Sequence, residues 1–221
     1  MRKRIKFPSK RGLNREELEL YSRYADDFYK VIKALRKYKN GVTIFGSRML
    51  SEDSDHYKRA RELSYKLALN GHTVITGGGG GIMEAGNRGA YEAGGKTVGF
   101  NITIPQEQDV NKYVTESIQF EFFATRKLAL ASCSKVWVFF PGGFGTYDEL
   151  FEVLTLVRDG KMPMASIFLV GKEWWKTMDD FVRSRTSDHT EFGVIDHKLY
   201  EITDNIDEIV DAADRMVKLE E

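Results

Sequence analysis

The run Pro141-Gly142-Gly143-Phe144-Gly145-Thr146-Tyr147-Asp148-Glu149 follows a strand-like apolar stretch and leads into an amphipathic helical pattern. A turn so rich in glycine costs backbone entropy and is kept where something must come close to the main chain. The start of the helix behind it offers unpaired N–H groups and the positive end of the helix dipole, which together suit a phosphate. Two similar turns lie upstream, Gly46-Ser47-Arg48 and Gly77-Gly78-Gly79-Gly80-Gly81, each at the end of an apolar run. Glycines let an anion reach backbone amides with no Cβ in the way. A nucleoside monophosphate or a sugar phosphate is the guest that such turns suit. The same residues also admit a structural reading: Thr146 and Glu149 have capping-box spacing, in which each side chain bonds the other's N–H. Two familiar nucleotide fingerprints are missing. No Gly-Lys-Ser/Thr ends a glycine turn, and no clear acidic residue closes the strand "KTVGFNI" to grip a dinucleotide ribose.

These turns need a frame. Helical spacing of apolar residues runs from Glu16 to Tyr38, and from there strands and helices alternate. "VTIFG" is a strand and Asp53 to Asn70 a helix; "HTVIT" is a strand and Ile82 to Ala93 a helix. "KTVGFNI" and "SIQFEF" are strands, and Ala124 to Ser132 is a helix. "KVWVFF" is a strand, Thr146 to Arg158 a helix, "ASIFLVG" a strand and Glu173 to Arg183 a helix. Arg185 to His197 lacks periodicity and reads as a loop, before "LYEIT" and a final helix from Ile206 to Leu219. The alternation predicts an α/β, Rossmann-like parallel sheet with helices on both faces, plus an N-terminal helix. Continuous rather than alternating apolar strands agree with a sheet covered on both sides. Residues 1–15 read as a flexible basic arm and 16–221 as one nucleotide-binding domain.

The nine residues from Pro141 to Glu149 fit the Pro-Gly-Gly-x-Gly-Thr-x-x-Glu signature, and the chain resembles the LOG (Lonely Guy) family, Rossmann-like proteins often mislabelled as lysine decarboxylases. Arg126-Lys127 is similar to the family's Arg-Lys pair, Gly77 to Met83 to its Gly-Gly-Gly-x-Gly-x-Met turn, and Gly46-Ser47 to its first Gly-Ser turn. The resemblance covers roughly Gly41 to Val170. It implies a phosphoribohydrolase that cleaves a nucleoside 5′-monophosphate, AMP or a cytokinin ribotide, to free base and ribose 5-phosphate. It also implies a homodimer with the nucleotide site close to the interface, and a catalytic pair at Arg126 and Glu149. The chain departs from the family where Phe123-Ala124-Thr125 precedes Arg126 and where Glu84 follows Met83. These departures bear on base preference and not on the pair.

Breaking a ribose–base bond builds positive charge at C1′, and a carboxylate there stabilises it or orients water. Glu149 suits that task if ionised. A helix N-terminus favours the ionised form, which leaves the proton donor to the base unassigned. Arg126 can hold a ribose hydroxyl or the phosphate, or orient Glu149. Gly46, Ser47, Arg48, Gly77 to Gly80, Glu84, Gly142, Gly143, Gly145 and Thr146 form the expected substrate-binding set. Arg48 reaches phosphate or pairs with Glu52, Asp53 or Asp55; Glu84 caps its own helix or binds ribose; Lys127 reads as an exposed helix residue. The rival function is a non-catalytic carrier of a nucleotide or of a phosphate-bearing cofactor such as a pterin, which needs neither Arg126 nor Glu149.

The remaining composition narrows the field. Lys plus Arg and Asp plus Glu are both 33, so no net field favours nucleic acid or an acidic membrane. The four histidines lack metal-ligand spacing, and neither a metal nor an organic cofactor, pyridoxal included, is expected. A single cysteine, Cys133, excludes an intrachain disulfide. With no signal-like or membrane-spanning apolar run, it fits a cytoplasmic protein.

Overall fold

The computed structural model of the chain describes residues 12–38, 41–103, 110–162, 166–186 and 199–218. Helix α1 (Arg15–Lys37) opens on a capping box: Asn14 accepts from the Glu17 N–H at 3.0 Å, and the Glu17 carboxylate accepts from the Asn14 N–H at 2.8 Å. The helix therefore begins within the expected basic arm, whose residues 1–11 lie outside the described residues. There follow β1 (Gly41–Phe45), α2 (Asp55–Leu69), β2 (Thr73–Thr76), α3 (Ile82–Glu92), β3 (Thr97–Ile102) and β4 (Glu116–Phe120). The second half comprises α4 (Phe123–Ser132), β5 (Ser134–Phe139), α5 (Phe144–Arg158), β6 (Ser166–Val170), α6 (Lys172–Thr186), β7 (Glu201–Thr203) and α7 (Ile206–Lys218).

The seven strands form one sheet in the order β4-β3-β2-β1-β5-β6-β7. Every neighbouring pair is parallel. β1, β5 and β3 are buried almost throughout, because helices cover both faces, whereas the edge strand β4 alternates between half-buried and exposed. One core packs Leu63, Leu67, Ile82 and Ile209 of α2, α3 and α7 against Val42, Ile44 and Val138. The other packs Leu130, Leu150, Val153 and Trp175 of α4, α5 and α6, with Val31 and Ala34 of α1, against Ile75, Phe100 and Trp137. The chain builds outward from β1 to β4, then returns through α4 to lay β5 on the other side of β1. That reversal leaves a crevice beyond the carboxyl ends of β1 and β5, the place where open α/β sheets hold ligands.

Two elements differ from their expected bounds. Helix α5 starts at Phe144 rather than Thr146, because the Gly143 carbonyl already accepts the Tyr147 N–H at 3.1 Å. Helix α6 runs through Arg185 and Thr186, which the sequence pattern assigns to a loop; the rest of that stretch to His197 lies outside the described residues.

Candidate active site

The three glycine turns meet at the β1/β5 crevice, and Ser47 stitches them together. Its N–H donates to the Pro141 carbonyl at 2.9 Å, its carbonyl accepts the Ile82 N–H at 3.0 Å, and its hydroxyl accepts the Met49 N–H at 3.1 Å. Ser47 thus spends its amide on the scaffold. The glycines divide by what a side chain would meet. A Cβ on Gly77 would lie 2.1 Å from Arg126 Nη2, on Gly142 2.2 Å from Thr146 Oγ1, and on Gly46 2.8 Å from Ile82. At these positions glycine lets the turns and Arg126 pack together. Gly143 and Gly145 have nothing within 4 Å of such a Cβ, and both are exposed. Their bare faces border open space.

That space is a cavity of about 410 Å³. Gly46, Ser47 and Arg48 line one side, and Gly143, Gly145 and Thr146 another. Arg126 and Glu149 complete the polar wall, and Met49, Met83, Ile102 and Phe123 supply an apolar one. Gly142 lies beneath, packed on Thr146. Gly77, Gly78, Gly79 and Gly80 do not line it. The Gly78 N–H donates to Thr76 Oγ1 at 2.9 Å, and Asn111 holds the Gly78 and Gly79 carbonyls, both at 2.9 Å. This turn forms the back of Arg126 rather than a wall of the cavity. Glu84 also stands outside, accepting the Tyr57 hydroxyl at 3.0 Å.

The capping-box reading of Thr146 and Glu149 does not hold. The N-cap of α5 is Gly143, and no side chain caps it, so the Phe144, Gly145 and Thr146 N–H groups keep no helical partner. Glu149 falls in the second helical turn. It makes neither a hydrogen bond nor an ion pair with a described residue. Burial pushes its carboxyl up to about 7; Arg126 opposes that rise, and Asp148 adds to it. The expectation that the helix N-terminus holds Glu149 ionised is therefore corrected: desolvation outweighs the dipole, and the group can both take up and release a proton near neutrality.

Arg126 is held from behind. Its Nε donates to the Phe100 carbonyl at 2.6 Å, and Nη2 faces the Gly77 carbonyl at 3.5 Å. Burial pulls the guanidinium below its ordinary range, while the Glu149 charge draws it back. It remains a cation. Arg48, exposed at the rim, pairs with none of Glu52, Asp53 and Asp55; Glu52 pairs with Arg88 at 2.5 Å. Lys127, expected to be exposed, is half-buried and bridges α4 to α5 through Asp148 at 2.9 Å and Glu152 at 3.3 Å.

The sequence patterns do not single out Met49, since an apolar wall residue looks like a core residue, and they mark Phe123 only as a departure from the family's pattern. They also pass over Asp27 of α1. Its carboxylate Oδ2 accepts from the Glu121 and Phe122 N–H groups, at 2.8 and 3.0 Å, and from the Thr125 hydroxyl at 2.8 Å. An acid on the apolar face of α1, four residues before Val31, is the signal that marks it.

Residues 83–216 match the protein family described as "possible lysine decarboxylase". The match takes in more than half of the chain, including Arg126 and the whole glycine-rich turn to Glu149. The chain belongs to this family, the LOG family. A relative from Archaeoglobus fulgidus, described as an uncharacterized protein, is 30% identical over 110 residues, 49% of this chain and 69% of the relative. The probable cytokinin riboside 5′-monophosphate phosphoribohydrolase LOGL5 of Oryza sativa subsp. japonica is 29% identical over 117 residues. That alignment spans 52% of this chain and about half, 47%, of the rice protein. Among solved structures, the molybdenum cofactor carrier protein of Chlamydomonas reinhardtii superposes with a TM-score of 0.59. It covers 80% of this chain and 97% of its own and is 22% identical, so the likeness is one of fold. Among the described residues, no cluster of His, Cys, Asp and Glu could hold a metal ion, and no helix is long and apolar enough to cross a membrane.

Proposed function

We propose that this LOG-family protein hydrolyses the N-glycosidic bond of a nucleoside 5′-monophosphate, with water, to free base and ribose 5-phosphate. The observation that carries the reading is one cavity bordered by an uncapped helix N-terminus, a half-buried arginine and a carboxyl near neutrality. The Phe144, Gly145 and Thr146 amides take the phosphate, with Arg48 at the rim adding charge. Ribose then lies toward Arg126 and Glu149. As positive charge develops at C1′, ionised Glu149 faces it and accepts the proton of the attacking water. Arg126 holds the ribose hydroxyls and keeps Glu149 and the phosphate from repelling one another. The apolar wall of Met49, Met83, Ile102 and Phe123 takes the base. Such a substrate is an intracellular metabolite, and the reading places the protein in the cytoplasm.

The rival is a carrier of an intact nucleotide or phosphate-bearing cofactor; the Chlamydomonas protein of like fold is a molybdenum cofactor carrier. A carrier has no need of a proton acceptor beside the sugar, and Glu149 tips the reading to hydrolysis. Incubation with AMP and a panel of ribonucleoside monophosphates, cytokinin ribotides among them, separates the two. Chromatography should find free base and ribose 5-phosphate in equal amounts. Tight binding with the nucleotide recovered whole would establish the carrier instead.

A further inference from the structure

We infer, on the hydrolytic reading of the site, that Asn111 is a positioning residue for the reaction: it pegs the five-glycine turn, and the pegged turn holds Arg126 toward Glu149. Arg126 leans on bare main chain. Its Nη2 faces the Gly77 carbonyl at 3.5 Å, and a Cβ on Gly77 would lie 2.1 Å from that nitrogen. Five glycines in a row have no side chains with which to fix their own path, and Gly78 and Gly81 take φ of +77° and +63°. Their shape is set from outside.

Asn111, between β3 and β4, sets it. Its main-chain N–H donates to the Gly78 carbonyl at 2.9 Å, and its Nδ2 donates to the Gly79 carbonyl at 2.9 Å and to Asn87 Oδ1 at 2.8 Å. Its Oδ1 accepts the Tyr113 N–H at 3.2 Å, so both ends of the amide are engaged and it has one orientation. Asn87 anchors the peg from α3, where it is fully buried. Its Oδ1 also accepts the Thr76 hydroxyl at 2.7 Å, and its Nδ2 donates to Thr97 Oγ1 at 2.6 Å. Thr76 closes the ring by accepting the Gly78 N–H at 2.9 Å. The bonds tie α3, β2 and β3 to the turn, and a satisfied buried network of this kind fixes one geometry. Asn111, Asn87 and Thr76 do not line the cavity, so they act on the chemistry through Gly77 and Arg126.

Without the peg the turn sags away from Arg126, and the guanidinium, pivoting on the Nε bond to the Phe100 carbonyl, follows it away from Glu149. Arg126 and Lys127 of α4 and Asp148 and Glu152 of α5 act on the Glu149 carboxyl, and of these the peg moves Arg126. In Asn111→Ala, kcat for base release should fall by about tenfold or more. Glu149 should titrate about half a pH unit higher or more, the sign of a retreating cation. Carbon-13 NMR of the glutamate carboxyls, with Glu149→Gln to assign the signal, reads that titration whether or not the protein turns over. A wild type that releases no base thus fails the hydrolytic reading and leaves the peg to be judged by the titration alone. Thr76→Val loosens the same turn from the other side, should shift Glu149 the same way, and decides the matter if Asn111→Ala does not fold. Thr203→Val is the matched control. Thr203 also ends a strand, donates to Glu208 at 2.7 Å and accepts the Asn205 N–H at 3.0 Å, but on β7 at the far edge of the sheet. It should lower the melting temperature and leave kcat and the Glu149 titration alone. A Glu149 titration unmoved in the folded turn variants, or moved equally in Thr203→Val, overturns the proposal.

Discussion

The Asp27 carboxylate accepts the Thr125 hydroxyl at 2.8 Å, one residue before Arg126. The same oxygen takes the Glu121 and Phe122 N–H groups, and so supplies the cap that α4 lacks from its own sequence. The site's cation therefore stands on a helix whose first turn is tied down by a residue nearly 100 positions earlier.

Asp27→Ala removes these bonds and leaves Lys30 without its partner at 2.8 Å. We expect a loss of about 2–4 kcal/mol and a melting temperature lower by about 5–15 °C. Base release should fall as well, because Arg126 loses its footing. Burial pushes the Asp27 carboxyl up, but hydrogen bonds from Lys30, the Phe122 N–H and Thr125 together hold it below its ordinary value of 3.8. A lowered native pKa gives stability that is present above about pH 4 and is lost as pH falls through the native value. Acid unfolding of wild type and of Asp27→Asn, followed by circular dichroism, checks the sign. The wild type should lose stability over this range more steeply than the variant.

Glu149 should set the pH profile of turnover. Acting as a proton acceptor, it requires kcat/KM to rise with pH through about 7, the value to which burial pushes it. The positive charge of Arg126 lowers that value, so the residual activity of Arg126→Ala should climb at higher pH. Glu149→Ala and Arg126→Ala should each slow turnover by about 10²-fold or more. A profile that instead falls through pH 7 would make Glu149 the acid that protonates the leaving base.

The two kinds of glycine should respond oppositely to alanine. Gly77→Ala drives a methyl into Arg126, 2.1 Å from Nη2, and should cost both stability and kcat. Gly145→Ala meets nothing within 4 Å and sits in a helix, where alanine is favoured by about 0.8–1 kcal/mol. It should melt slightly higher and yet show a raised KM, since the methyl stands where phosphate approaches. Thermal melts beside Michaelis curves for the two variants test the contrast.

Cys133 should be chemically silent while the protein is folded. Burial pushes its thiol up to about 12, and the side chain is 1% exposed. At pH 8, iodoacetamide should label it only as fast as the chain unfolds, and urea should expose it at once. Mass spectrometry with and without denaturant gives the comparison.

The frame was legible because each strand is an apolar run covered on both faces and each helix is amphipathic; the order of strands and helices follows from that alternation. The start of α5 was harder to place, since Gly143, Phe144 and Gly145 suit a turn and a helical first turn equally. The convergence of Arg126, Glu149 and the β1 turn follows from the reversal of strand order at β1 and β5. What the linear pattern could not convey is desolvation. The spacing of Glu149 from the glycines reads as a charged helix start, and only the packing around it raises its carboxyl to about 7. Nor does any local signal pair Asp27 with Thr125, because the contact crosses six strands and helices of sequence.

The strap from α1 to α4 also has a consequence in time. A ribosome adding about 5–20 residues per second makes Thr125 roughly 5–20 s after Asp27. Over that interval the newborn helix carries greasy flanks on two sides, and the partner for its buried acid has yet to be translated. Helix α1 thus waits undocked through the synthesis of β1 to β4, and it locks into place only once α4 has been made.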